Sequence, residues 1–378
     1  MRVLIDYRPA LRQRTGVGEY AHQLAAAVTP VLAEAGGSVT LFSSSWKDRL
    51  AAGVVPGARQ VDVRVPVSLL NRAWHQWEWP PIESLAGRTD VAHSMHPLLI
   101  PARDAAQVVT VHDLYFLDRP ESTTAEIRRD YPSLTPLHAR RADAVIVVSN
   151  YTAREVHARL NVEPGRITVC PPGAPDWKGR DLSPIDASWR GPIVFVGTIE
   201  PRKNVGALLA GYRKLLALMP DAPQLVLAGG VSPESTALLA ELDEPPLAGR
   251  ARHLGYVTDS ERQELYRSGS VLVLPSLNEG FGLPVLEAMA VGLPVVAANR
   301  GALPELLDGA GTLIEPDDTD GLARAIHALL TDPARAQASA DRGLLRAREY
   351  TWRATARRVV DAYAAAIERR AARKPRIR

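Results

Sequence analysis

The sequence predicts an α/β protein built from two doubly wound parallel-sheet domains, and three observations lead there. Short β-branched runs alternate with helical patterns almost throughout, and the runs are continuously apolar rather than alternating. A stretch rich in Pro, Gly and Asp divides them into two series. Strands that are apolar on both faces and separated by helices belong to parallel sheets covered on both sides. At 378 residues the chain is too long for one core and suits two.

In chain order, RVLI (2–5), SVTLF (38–42), VDVRV (61–65), QVVTVH (107–112), AVIVVS (144–149) and ITVC (167–170) read as the strands of a first domain. PIVFVG (192–197), QLVLAG (224–229), ARHLG (251–255), VLVLP (271–275), PVVAA (294–298) and GTLIE (311–315) supply a second. Helical patterns lie between them at 17–34, 119–140, 204–218, 259–268 and 318–331. The linker is read at 171–192, PPGAPDWKGRDLSPIDASWRGP. The expected division is 1–175, 185–350, and a segment 351–378. In that last segment Trp352, Ala356, Val359, Val360, Tyr363 and Ile367 line one side of a helix. The helix is long enough to return to the first domain.

Composition narrows the function. The one cysteine, Cys170, excludes a disulfide framework and suits a reducing compartment. MRVLID reads as a strand rather than a secretory leader, and no apolar run is long enough to span a bilayer, so a cytoplasmic protein is expected. The net charge is +3, but the last ten residues, RRAARKPRIR, carry six basic groups and no acid, which leaves 3 − 6 = −3 for the body. A mildly acidic body argues against nucleic-acid binding. The tail reads either as a solvated end or as an electrostatic contact for an anionic membrane surface.

The densest chemistry is NEGFGLPVLEAM, residues 278–289. The strand VLVLP leads through a loop with Gly280 and Gly282 into a helix with Pro284 in its first turn and Gly292 beyond its end. Bare amides and the positive dipole end at that N-terminus favour a phosphate. Glu287 is the sole polar side chain between Leu283 and Val291. Buried without partners it would cost several kcal/mol. A vicinal diol, such as a ribose, would satisfy it with two O–H donors. Glu279, ahead of the helix, would reach a group beyond the phosphates. The alternative is that either glutamate answers the helix dipole and pairs with an arginine. In VFVGTIEPRKN, Arg202 and Lys203 follow a strand's carboxyl end, with Asn204 expected to cap the next helix. Adjacent cations there suit a diphosphate that is first bound and then stabilised as it departs.

The first domain offers matching parts. TGVGEY (15–20) places Gly16 and Gly18 where backbone N–H groups would approach a phosphate, although the third glycine of a dinucleotide fingerprint is missing. VTVHDL sets His112 and Asp113 at the end of a buried strand, either facing a ligand or as hydrogen-bonded core groups. Ser149 or Asn150 in VVSNYT would cap a helix. His93 and His96 have no acid or cysteine at metal-ligand spacing, so no metal site is expected. Of Trp74, Trp77 and Trp79, at least one is expected to pack a helix end, and the others read either as further packing or as an apolar lip for an acceptor or membrane.

EGFGLPVLE resembles the E-x7-E signature of retaining glycosyltransferases of the GT-B fold, group 1 or family four. VGTIEPRKN, VHDL, the opening glycine loop and YTW are similar to that family too. The resemblance covers nearly the whole chain and is most specific over 191–316. It implies two Rossmann-like domains facing across a cleft and, in its TIEPRKN form, a branch that transfers mannose in polysaccharide O-chain assembly. By that resemblance, a nucleoside diphosphate sugar would be the donor and a glycan or lipid-linked glycan the acceptor. Glu287 would hold the ribose. Arg202 and Lys203 would neutralise the diphosphate, with the backbone around Gly16, Gly18, Gly197 and from Phe281 through Gly282 to Leu283. Glu279 would bind donor-sugar hydroxyls, and His112 would lie beside the sugar. No metal or other cofactor is implied. One departure stands out: Thr198 follows Gly197 where some members have arginine, which throws weight onto Arg202 and Lys203. A glycoside hydrolase, a nucleotide-sugar epimerase and a non-catalytic binding subunit are the rival readings. The hydrolase has no use for the Arg-Lys loop or the phosphate-binding glycines.

Overall fold

The computed structural model describes residues 1–11, 14, 16–177, 179 and 191–373. Most of the expected linker and the last five residues of the basic tail therefore lie outside the described residues. The chain forms two compact units: Met1–Gly173 with Thr351–Arg378, and Ala174–Tyr350.

The first unit carries seven strands: β1 (Arg2–Asp6), β2 (Ser38–Ser44), β3 (Arg59–Val63), β4 (Val91–Ser94), β5 (Ala106–Val111), β6 (Ala144–Val147) and β7 (Ile167–Val169). Their order is β3-β2-β1-β4-β5-β6-β7, and every pairing is parallel. The order reverses direction between β1 and β4. β4 (VAHS) had no place among the strands read from the sequence. At four residues, with a histidine and a serine, it lacks the apolar run that marks its neighbours, yet all four of its residues are buried.

Helix Val67–Trp77 packs Leu70 and Trp74 over Leu4, Phe42 and Ala92 on one side of this sheet. Toward β7, helices Ala125–Arg141 and Asn150–Leu160 cover Val109, Val111, Val145 and Val147. Each such aliphatic side chain contributes about 1.5–3 kcal/mol on burial. Helix Trp352–Arg373 returns to this unit, packing Val359, Ala362, Tyr363 and Ala366 against helix Gly16–Glu34 and β5. The Tyr363 hydroxyl meets His93 Nδ1 of β4 at 2.7 Å.

One local reading changes and one open alternative is decided. The helix read at 119–140 is two pieces, a 3-10 turn Pro120–Ser122 and the helix Ala125–Arg141, and a short helix Tyr115–Asp118 precedes them. Pro120 offers no N–H and pushes Arg119 out of helical backbone, and Thr124 restarts the helix by accepting from the Ile127 amide. Ser149, rather than Asn150, caps the next helix, accepting from Thr152 N.

The second unit holds six parallel strands: β8 (Ile193–Val196), β9 (Leu225–Ala228), β10 (Ala251–His253), β11 (Val271–Leu274), β12 (Val295–Ala298) and β13 (Thr312–Ile314). Their order is β10-β9-β8-β11-β12-β13, with the reversal between β8 and β11. In open α/β sheets a reversal of this kind leaves a crevice at the carboxyl ends of the two central strands, where ligands bind.

Candidate active site

In the second unit the loops leaving β8 and β11 converge. Residues 201–203 form a 3-10 turn after β8. The amide of Leu277, in the loop after β11, donates to the Arg202 carbonyl at 2.8 Å. This backbone tie brings three of the expected side chains together. Lys203, buried, donates from Nζ to Glu279 Oε1 at 2.6 Å, and Ser276 Oγ donates to the same oxygen at 2.7 Å. Arg202 Nη1 stands 3.5 Å from Glu279 Oε2, and its Nε and Nη2 both reach Glu200 Oε1. Burial alone would raise the Glu279 pKa. The Lys203 and Arg202 charges and the hydrogen bonds from Lys203 and Ser276 outweigh it, so the carboxyl is held below its ordinary range. It is an ionised acceptor fixed between two cations.

Gly197, the first residue after β8, has φ +147°, and a Cβ there would sit 3.6 Å from Lys203 Cε. The lysine stem thus passes over the bare backbone of the strand's end. Thr198 is exposed and uncharged, and it places no cation beside Gly197.

Asn204 does not cap its helix. It sits at φ +54° and makes no capping bond, and its Nδ2 donates instead to the carbonyls of Pro275 and Pro316. Those bonds pin the β8 loop to the residues just past β11 and β13. The capping signal was read correctly as a polar helix start, but left-handed backbone turns the side chain away from the helix amides.

The helix after β11 is Leu283–Ala290, entered through Gly282 at φ +105° with Phe281 buried before it. A Cβ on Gly282 would lie 2.7 Å from Leu303 Cδ2 as well as straining the backbone, so the tight entry requires glycine. Pro284 has no N–H, so the amides of Gly282 and Leu283 open this N-terminus.

Glu287 is buried in this helix and is not left without partners. Its Oε2 accepts from the Tyr266 hydroxyl at 2.8 Å, and its Oε1 faces Arg262 Nη2 at 3.3 Å. Of the two readings offered for this carboxylate, pairing with an arginine is what the structure shows, with Tyr266 beside Arg262. Burial, with the Glu287 charge beside it, pushes the Tyr266 hydroxyl well above its ordinary range, so it remains a donor. Trp177 lies over both, its ring 5.5 Å from the Arg262 guanidinium and 5.9 Å from the Tyr266 ring. Glu200, Arg262, Tyr266 and Ser276 escaped sequence reasoning. Arg262 and Tyr266 carried one usable signal, their i, i+4 spacing on the helix preceding β11.

In the first unit His112 follows β5, partly buried, with Nε2 donating to the Met95 carbonyl at 3.1 Å and the Tyr20 ring edge-on at 4.9 Å. Burial is the chief cause of a pKa lowered to about 4, which makes the ring a neutral imidazole. Its Nδ1 is then an acceptor. Gly16 begins helix Gly16–Glu34 with open space beside it. A Cβ on Gly18, by contrast, would fall 2.5 Å from the Pro9 carbonyl oxygen, so the bare backbone there serves an internal contact. Trp74 is buried as expected for packing, while Trp77 and Trp79 are exposed. In the tail, Arg369, Arg370 and Arg373 all donate to main-chain carbonyls of the first unit. Among the described residues no cluster of histidine, cysteine and acids suits a metal ion, and no helix is long and apolar enough to cross a membrane.

Two family models match, "Glycosyltransferase Family 4" over residues 14–176 and "Glycosyl transferases group 1" over 190–332. The O-antigen chain mannosyltransferase B of Escherichia coli is 30% identical over 272 residues, 70% of this chain and 71% of that protein. The serotype-specific mannosyltransferase WbdA of Escherichia coli is 29% identical over 282 residues, but the chain spans only 34% of its length. Among solved structures, the sucrose-phosphate synthase of Thermosynechococcus elongatus superposes with a TM-score of 0.76 at 22% identity, over 96% of this chain and 98% of that one.

Proposed function

The chain belongs to the group 1 and family 4 glycosyltransferases, of GT-B fold, and from that premise we propose that it transfers mannose from GDP-mannose, with retention, to a glycan or lipid-linked glycan acceptor. The observation that carries the reading is the Arg202–Lys203–Glu279 cluster at the switch point of the second sheet. Mannose and an O-chain-type acceptor are supported by the mannosyltransferase relative at 30% identity. Retention rests on the family signature.

On this reading Glu287, steadied by Tyr266 and Arg262, takes the ribose hydroxyls. The diphosphate lies against the amides of Gly282 and Leu283 and the Arg202 and Lys203 side chains. Glu279 accepts from donor-sugar hydroxyls, and the neutral His112 accepts at Nδ1. The bond from the anomeric carbon to the phosphate oxygen breaks and its electron pair leaves with the diphosphate. The acceptor oxygen attacks from the same face and its proton passes to the departing phosphate oxygen. Fixed cations and helix amides stabilise the charge that develops, without a metal being required. Reaction in the cytoplasm, with the tail beyond residue 373 as a contact for an anionic leaflet, completes the proposal.

Thermal-shift measurements with GDP-, UDP- and dTDP-sugars, followed by transfer assays with and without a glycan acceptor, test it. GDP-mannose is expected to raise the melting temperature most, as ligand binding to the native state dictates, and to be consumed only with acceptor present. Equal shifts from all donors would remove the mannose assignment. Donor conversion without acceptor would favour an epimerase.

A further inference from the structure

The turn Gly280-Phe281-Gly282 leads into helix Leu283–Ala290, whose opening amides meet the diphosphate in the reading above. With glycine on both sides, Phe281 is the one side chain by which the rest of the second unit can hold this turn. Two glycines also make the turn costly to order unless it is held. Phe281 is 7% exposed, and its ring meets Tyr350 edge-on, with centres 5.7 Å apart and planes at 72°.

Tyr350 is itself held by Arg346, in the last turn of helix Pro333–Ala347. The guanidinium carbon lies 5.2 Å from the tyrosine ring centre, and Nη2 donates to the hydroxyl at 3.0 Å. The same Nη2 donates to the Glu305 carbonyl at 2.7 Å, and Nε donates to the Leu306 carbonyl at 3.0 Å. Both carbonyls belong to the closing turn of the short helix Leu303–Leu307, where intrahelical donors run out and a planar, forked cation fits. Nη1 goes to Glu349. With its donors so spent, Arg346 acts as a tie between Tyr350 and helix Leu303–Leu307 rather than as a phosphate ligand.

That short helix bears on the same turn. A Cβ on Gly282 would fall 2.7 Å from Leu303 Cδ2 and 3.3 Å from Leu306 Cδ2. Just ahead of the helix, Ala302 N donates to the Glu279 carbonyl at 2.9 Å, and a Cβ on Gly301 would lie 2.5 Å from the same oxygen. One arginine thus secures two supports: Tyr350 against Phe281, and Leu303 with Leu306 against Gly282. The supports converge on adjacent residues, and amides fixed in advance bind an anion with less ordering cost.

We infer that Arg346 and Tyr350 are positioning residues for the donor's diphosphate: the pair fixes the Phe281–Gly282 turn so that the Gly282 and Leu283 amides are presented to the phosphates, and the two side chains act through that turn alone. The inference rests on the donor reading for the identity of the anion, while the grip on the turn stands on the contacts themselves.

The test uses the full chain and titrates GDP, UDP and dTDP beside their nucleosides by saturation-transfer NMR, comparing the pair that the wild type binds. In Tyr350→Leu and Arg346→Met the diphosphate is expected to lose about fivefold in affinity, the scale of a lost aromatic contact, and the nucleoside less than about twofold. Hydrogen exchange of the Phe281, Gly282 and Leu283 amides is expected to quicken roughly tenfold with β9 unchanged, which a general loss of stability would not do. Tyr350→Phe keeps the ring on Phe281 and most of the affinity. Arg346→Lys lacks the fork and behaves as Arg346→Met. Leu345→Ala, 62% exposed on the same helix, is the control and matches the wild type. Unchanged diphosphate affinity in both variants, an equal loss for the nucleoside, turn amides at the wild-type rate, or quickening shared by β9 would overturn the inference. Transfer whose donor KM ignores both variants sinks the positioning role and leaves the transferase. If no diphosphate binds and no sugar is transferred, while the turn amides still quicken in both variants, the donor reading falls and the grip on the turn stands.

Discussion

Replacing Lys203 by alanine is expected to damage stability and turnover by separable amounts. The ammonium lies 2.6 Å from Glu279 Oε1, and the two side chains are 9% and 7% exposed. Removing one partner of a buried pair leaves the other charge uncompensated, at about 3–5 kcal/mol. Arg202 at 3.5 Å and Ser276 at 2.7 Å still face the carboxylate, so the lower end, about 3 kcal/mol, is expected. Hydrogen exchange of β8 and β11 amides should then accelerate roughly a hundredfold, since about 1.4 kcal/mol is a factor of ten. Turnover should fall by roughly a hundred- to a thousandfold, the measured scale for losing one charge-stabilising donor. The double variant Lys203→Met with Glu279→Gln removes both charges, and it should regain most of the protection but none of the turnover. Exchange within threefold of wild type would show that the pair is not buried as described. Wild-type turnover in a folded Lys203→Ala chain would remove the lysine from the mechanism.

Tyr266→Phe withdraws the hydroxyl from Glu287. Donor affinity should weaken about tenfold, the scale of a hydrogen bond to a charged group, with kcat kept, and an unchanged donor KM would refute the positioning role. Gly229→Ala would place a Cβ 2.1 Å from the Gly197 carbonyl oxygen at φ +138°. A loss of about 2 kcal/mol or more, and a melting point lower by roughly 4–8 °C, follow for a unit of this size; unaltered melting would count against the close approach of those two loops. Burial lowers the pKa of His93 to about 3 and of His138 to about 4, both below an unfolded value near 6.5. The unfolded chain takes up these protons first as pH falls, so stability is full above about pH 6.5 and declines from there toward pH 3. Urea midpoints at pH 7, 5.5 and 4.5 should drop in that order, less steeply in His93→Gln, and equal slopes in the two proteins would exclude His93 as a source.

Much of this fold was legible because both sheets are buried on both faces, so their strands appear as bare apolar runs such as VLVL and AVIV. β4 was not legible for the same reason in reverse: its burial is achieved with His93 and Ser94, and the two His93 ring nitrogens are satisfied by partners distant in sequence, Tyr363 and Thr110. The Arg-Lys turn and the two glutamates could be read from their positions after strands. That Lys203 and Glu279 would grip each other could not, because they are 76 residues apart and meet only through the adjacency of β8 and β11. Glu287 shows the limit of local reasoning most clearly. An apolar helix around a carboxylate signals that something must answer it, but Tyr266 and Arg262 enter from another helix.

The chain leaves the first unit at Gly173 and rejoins it at Thr351. These two crossings run side by side: a Cβ on Gly173 would strike the Trp352 amide nitrogen, and Ala174 N donates to the Tyr350 carbonyl at 2.9 Å. In chain order the second unit is thus an insertion within the first. Synthesis must then proceed in a nested order, in which residues 174–350 have all been made before the helix that closes the first core exists. Until that helix arrives, the face of β5 and of helix Gly16–Glu34 that it covers stays open, and the earliest-made half of the protein is the last to be finished.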